Sequence, residues 1–236
     1  MVKPARVPDA REVVYLGERW KTLEELRREA ASIMKPLQDA GLNPIIHGSL
    51  ARGDVDKDSD VDVFIPSDVP SFRVQLALED AGFTPLKREI VMATPWQLPK
   101  AHLYLEENRS VTFPLIRPEA LEIEFYRFGG SIGFDSLVWN HRVPGVDKRL
   151  MLIEPTPEGH VESSVIGREA EVAEKVGVSL GIVRERVQVL TRRANIGHTG
   201  IFLRRELAPD ESFENVFSEL IRKKPAIKIR LRKRPR

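Results

Sequence analysis

From Leu23 through Leu26, Ala30 and Ile33 to Leu37, apolar residues recur at the spacing of one helix face, and Gly41 closes the run. Thr22-Leu23-Glu24-Glu25 has the form of a capping box, so the helix is predicted to open at Thr22. Asn43-Pro44 then turns the chain into a short apolar strand, Ile45-Ile46. Residues 61–65 read as a second strand closed by Pro66, and residues 71–81 as a helix stopped by Gly82. Residues 102–105, 111–116 and 121–128 read as three more strands. Helices and strands alternate early and strands cluster later, which predicts an α/β (α+β) fold with a mixed sheet and helices packed against it. Residues 1–20 show no period, and neither does the Gly- and Pro-rich stretch from 130 to about 159. From Glu162 to Arg193 the pattern is helical. A boundary at 145–160 therefore separates a domain at 20–150 from a helical module at 160–208 and a C-terminal segment at 209–236.

Chemistry concentrates in one place, the run from His47-Gly48-Ser49 through Arg52, Asp54, Asp56 and Asp58 to Ser59-Asp60-Val61-Asp62-Val63. Residues i and i+2 of a strand share a face, so Asp60 and Asp62 stand side by side while Val61 and Val63 point into the core. Two carboxylates this close repel unless a cation lies between them. Hard divalent cations take oxygen ligands, which points to Mg²⁺ or Mn²⁺. Gly48 lets backbone approach a phosphate closely, and the Ser49 hydroxyl can donate to it. A phosphate grip beside a cation grip is the equipment of phosphoryl or nucleotidyl transfer. Arg52 either pairs with one of the loop aspartates or orients a triphosphate. Asp54, Asp56 and Asp58 read as solvated, His47 as structural, and nothing in the spacing selects among Lys57, Lys87, Arg88 and Lys100 as further phosphate contacts.

The Gly-Ser-x-Ala-Arg-Gly run followed by Ser-Asp-x-Asp resembles the nucleotidyltransferase superfamily of DNA polymerase β, the CCA-adding enzymes and the small prokaryotic nucleotidyltransferases. The resemblance implies the polymerase β-like fold, a nucleoside triphosphate as substrate, and metal held by Asp60 and Asp62. It also implies a third carboxylate on a neighbouring strand. Leu121-Glu122-Ile123-Glu124-Phe125-Tyr126 supplies two candidates on one face, with Glu124, which precedes an apolar pair, preferred over Glu122.

The second half has a different look. Between Glu169 and Leu190, Ala173, Gly177, Val178 and Ser179 stand where a helix–turn–helix needs a small residue, a turn, a buried residue and a cap. The unit resembles those of prokaryotic transcription regulators. Arg184, Arg186, Arg192 and Arg193 would then meet nucleic acid, and residues 195–202 would form a wing-like hairpin. His160 with Glu162, and Asn140-His141-Arg142, read as surface loops.

Composition sharpens this picture. The 236 residues are 42% hydrophobic, enough for a core, and contain no cysteine, which excludes disulfides, thiol nucleophiles and thiolate metal sites. No apolar run approaches the roughly 18 residues of a membrane span, and Met1-Val2-Lys3-Pro4 lacks the look of a signal peptide, so the cytoplasm is the expected address. The net charge of +2 hides nine Lys/Arg and no Asp/Glu in residues 222–236; the rest of the chain has 28 basic and 35 acidic residues, a net −7. Such a basic tail suits RNA or DNA phosphates. Two functions follow: nucleotidyl transfer to an acceptor, with nucleic acid favoured, or a nucleic-acid-binding regulator on the same scaffold with little or no catalysis.

Overall fold

A computed structural model describes residues 10–197 and 200–232. The chain runs β1 (Arg11–Val14), α1 (Gly17–Asp39), β2 (Ile45–His47), α2 (Ser49–Arg52), β3 (Val61–Phe64), α3 (Ser71–Asp80), β4 (Lys87–Met92), β5 (Lys100–Glu106) and β6 (Arg109–Pro114). It continues as α4 (Ala120–Phe128), β7 (Ser131–Gly133), α5 (Phe134–Val138), β8 (Gly145–Val146), β9 (Met151–Thr156) and β10 (Gly159–Ser164). The last elements are α6 (Glu169–Val176), α7 (Leu180–Ile196), β11 (Leu203–Glu206), α8 (Phe213–Lys223) and α9 (Pro225–Arg232).

Among the described residues these strands make two sheets. The larger is mixed, in the order β11-β4-β5-β6-β3-β2-β7, with β3 and β6 parallel. Its two faces differ because side chains alternate along each strand. On one face Ile46, Val61, Val63, Val111, Phe113, Leu103, Ala101, Ile90 and Met92 are buried under α1, α3 and α8. Removing each large side chain from water is worth about 1.5–3 kcal/mol, so this face carries much of the stability. The other face is largely polar: the register aligns Asp62 with Ser110 and Tyr104, and Thr112 with His102 and Glu89. Helix α4 crosses that face, with Tyr126 stacked on Phe64 at 3.8 Å between ring centroids and edge-on to His47 at 4.9 Å.

The smaller sheet is antiparallel, β1-β10-β9-β8. Helices α6 and α7 share a second apolar cluster with it, built on Phe128, Val146, Leu152, Val172, Ile182 and Val183. The turn between the helices is as the sequence predicts: Gly177 is left-handed (φ +71°), and Ser179 Oγ caps α7 by accepting from the Ile182 N–H at 3.3 Å.

Several expectations are corrected. Helix α1 starts five residues before Thr22, whose hydroxyl donates to Glu18 O inside the helix; Trp20 packs against Tyr15 at 4.9 Å, and that packing extends the helix past the local cap signal. Residues 121–128 form α4, not a strand. The Leu-Glu-Ile-Glu alternation is too short to separate the two periods, and the deciding signal is Glu119-x-x-Glu122, in which the Glu122 carboxylate accepts from the Glu119 N–H at 2.8 Å. Strand pairing runs across the 145–160 cut. Strand β1 pairs with β10, and β11 closes the edge of the large sheet beside β4. Of the expected wing at 195–202, Asn195 and Ile196 instead end α7, and β11 begins at Leu203; His198 and Thr199 lie outside the described residues. The basic end enters α8 and α9, where Ile227 is buried in the main core; residues 233–236 lie outside the described residues. No described helix is long and apolar enough to cross a membrane.

Candidate active site

Strand β2 ends at His47, and Gly48 turns the chain with φ +75° and ψ −142°, a conformation closed to other residues. No neighbouring atom lies within 4 Å of where a Cβ would be, so the demand on Gly48 is conformational, not steric. The single turn α2 follows, and Gly53 in the left-handed region sends the chain into the acidic loop.

That loop is pinned rather than free. Arg52 is buried and grips Asp54 with two hydrogen bonds of 2.9 Å, and its third nitrogen donates to Gly129 O at 2.6 Å. Of the two roles open to Arg52, the structure places it in pairing with a loop aspartate. Arg19 adds donations to Val55 O and Asp54 O. Asp56 Oδ1 accepts from the Asp58 N–H at 3.0 Å, folding the tip of the loop over Ser59.

Asp60 and Asp62 emerge from this frame side by side, with Val61 and Val63 fully buried between and beyond them. Desolvation raises the Asp60 pKa; the Asp62 charge adds to this, and Lys148 opposes it. Ser110 Oγ donates to Asp62 Oδ1 at 2.7 Å from the parallel neighbour β6. On the other side, in β2, burial lowers the His47 pKa to about 4, so the imidazole is neutral at pH 7.

A cavity of about 470 Å³ opens over the pair. His47, Gly48, Ser49, Arg52, Asp60 and Asp62 all reach it, so the sequence-predicted phosphate and carboxylate residues converge. The opposite wall comes from residues that the sequence reading did not tie to this site. The β8–β9 turn supplies Lys148, and α7 supplies Arg186 and Leu190. Asp147 stiffens the turn by accepting from the Arg149 and Met151 N–H groups at 2.8 and 3.0 Å. The only sequence signal for Lys148 is a charged Asp-Lys-Arg turn about ninety positions away, which no local pattern ties to Asp60.

The two candidate third carboxylates lie elsewhere. Glu124 accepts from the N–H and hydroxyl of Ser179, tying α4 to the start of α7. Glu122 serves the start of its own helix and lines a separate cavity. On β6 the positions beside Asp62 and Phe64 are Ser110 and Thr112. Among the described residues no group of three or more His, Asp or Glu is placed to share a metal ion. Two carboxylates remain, a donor set that fits Mg²⁺, which keeps several waters and takes one or two protein carboxylates together with substrate phosphates.

The predicted nucleic-acid arginines divide as well. Arg184 and Arg192 are exposed, Arg193 is half-buried, and Arg186 is buried with its guanidinium 4.9 Å over the Phe125 ring. The inward face of α7 is therefore committed to α4.

Residues 24–111 match the family model described as nucleotidyltransferase domain. This segment is a nucleotidyltransferase domain. It spans α1 to β6 and holds Gly48, Ser49, Asp60, Asp62 and Ser110. The far wall of the cavity, with Lys148 and Arg186, lies outside the matched nucleotidyltransferase segment. Neither the curated proteins nor the solved structures gave a match.

Proposed function

We propose that the protein transfers a nucleoside monophosphate from a nucleoside triphosphate to a hydroxyl acceptor, releasing pyrophosphate, and that Asp60 and Asp62 hold the divalent cation this needs. The observation that carries the reading is the convergence of the Asp60/Asp62 pair, the Gly48-Ser49 turn and Lys148 on one cavity. Mg²⁺ bound there supplies positive charge to the phosphates and to the oxygen that attacks them. Ser110 fixes the rotamer of Asp62 through its hydrogen bond. Lys148, whose charge already acts on Asp60, faces the side where a leaving pyrophosphate would gain negative charge. Gly48 and Ser49 present backbone and hydroxyl to the triphosphate, while Arg52 holds the acidic loop in shape instead of touching substrate. Exposed Arg184 and Arg192 and the basic end of the chain support contact with nucleic acid, whatever the acceptor.

The test is incubation with each α-labelled nucleoside triphosphate, Mg²⁺ or Mn²⁺, and RNA, DNA, protein or small-molecule fractions. Label should move to an acceptor, with pyrophosphate released, in the wild type and not in Asp62→Asn. A second reading, a binding protein with little catalysis, is favoured by one observation: Ser110 stands where a third carboxylate would flank Asp62. Tight nucleotide binding without label transfer under any of these conditions would select it.

A further inference from the structure

A second cavity of about 320 Å³ opens on the same polar face of the large sheet, over β4 and β5. Its floor carries Lys100 and His102, and its apolar walls are Leu121, Phe125 and Tyr126 of α4 with Ile182 of α7. Phe125 and Arg186 line both cavities, so occupants of the two would meet at that shared wall.

Two polar groups on the floor of this cavity, Lys100 and His102, have few hydrogen bonds. Lys100 is half-buried, and its hydrogen bond to Tyr126 Oη is a long donation of 3.4 Å. His102 Nδ1 pairs with Thr112 Oγ1 at 3.0 Å, while His102 Nε2 is buried without a hydrogen-bond partner. Arg186 and Arg193 bring positive charge, and Glu122 and Glu185 negative; the charges of Asp62 and Glu122 reach Lys100, and with it the lining still holds three cations against two carboxylates. The balance favours an anion set against Lys100.

Position adds a second argument. In phosphoryl transfer the attacking and leaving oxygens lie roughly in line through phosphorus. The Gly48-Ser49 turn stands at the end of β2, on one side of Asp62. The strand order β5-β6-β3-β2 puts Lys100 and His102 on the opposite side, from which the attacking group must come.

We propose that this second cavity seats the acceptor, a small molecule with an apolar body, an anionic group against Lys100 and a hydroxyl turned toward Asp62. The assignment rests on the transferase reading above. The hydroxyl oxygen bonds to the α-phosphorus, the bond from that phosphorus to the bridging oxygen breaks, pyrophosphate leaves on the Lys148 side, and the hydroxyl proton passes to water. The volume lies within the range of small-molecule sites.

Calorimetry on the full chain with 3-(4-hydroxyphenyl)propionate, and with its neutral amide, tests this. The acid should bind about tenfold more tightly than the amide, the worth of one charge-assisted hydrogen bond. Lys100→Met should erase that difference, and Leu121→Trp, a change at a half-exposed rim position, should block both probes. Both variants should still bind the Mg²⁺ complex of α,β-methylene-ATP. Loss of the nucleotide with retention of the acid would overturn the proposal and make this the nucleobase pocket. Equal binding of acid and amide, or binding of neither, would overturn it too, as would label transfer to an oligonucleotide end that Lys100→Met leaves untouched. Asp62→Asn should keep the acid. If the acid binds but the wild type transfers no label to any acceptor, the transferase reading fails while the cavity keeps its ligand class.

Discussion

Asp60 is a residue at which charge repulsion acts directly. Its carboxyl pKa is raised by desolvation and by Asp62, so the metal-free fold is less stable with both groups ionised. Asp60→Asn should therefore raise the metal-free Tm near pH 7, and the gain should fade as pH falls through the carboxylate range and the wild-type group takes up its proton. Mg²⁺ should raise the Tm of the wild type and not that of Asp60→Asn, and label transfer by the variant should vanish. His47 and His102 act with the opposite sign. Burial lowers each to about 4 from an ordinary 6.5, so the unfolded chain takes up protons first as pH drops. Stability from these two rings is complete above about pH 6.5 and is lost as pH falls toward 4. Urea titrations across that window should show a shallower slope for His102→Gln than for the wild type.

At the scale of elements, α4 decides how the site is read. Taken as a strand, residues 121–128 put Glu124 beside the aspartates; as a helix they send its carboxylate to Ser179. Glu124→Gln should therefore keep label transfer, while Ser179→Ala should cost about 1 kcal/mol as a lost cap, measured by urea unfolding. The error is instructive because Glu-Ile-Glu satisfies the strand period over three residues, and the tie-breaker was the Glu119/Glu122 pair at the helix start. By contrast β2, the Gly48 turn and β3 were legible, since Asn43-Pro44, Gly48 and the Val-Asp-Val alternation each constrain the backbone locally. Lys148 was not, because its relation to Asp60 is created by the packing of two sheets. The strands β9 and β10 escaped notice for a related reason: their Pro155, Glu154 and Ser163-Ser164 mask the alternation that pairing imposes.

At the scale of the whole molecule, the basic C-terminus is first a structural element. Ile227 is buried in the core shared with α1 and α8, so Ile227→Ala should cost about 2–5 kcal/mol, and deletion of 225–236 should lower the Tm as well as any salt-dependent binding to nucleic acid. The charge asymmetry was visible in the sequence, but the burial of Ile227 within a stretch of nine cations was not. A fragment ending at residue 150 should fail to show a cooperative thermal transition, since it lacks β11, α8 and the partners of β1.

The pairing of β1 with β10, and of β4 with β11, also sets a timetable. A growing chain has Asp60 and Asp62 in hand long before the later partners of β1 and β4 are made. Yet β1 waits for residues 159–164, and the open edge of β4 waits for residues 203–206. Domains generally fold as units as the ribosome releases them. Here the unit reaches from β1 to β11, so a chain stopped before residue 203 leaves β4 without its outer partner, and that exposed edge is a liability until β11 arrives.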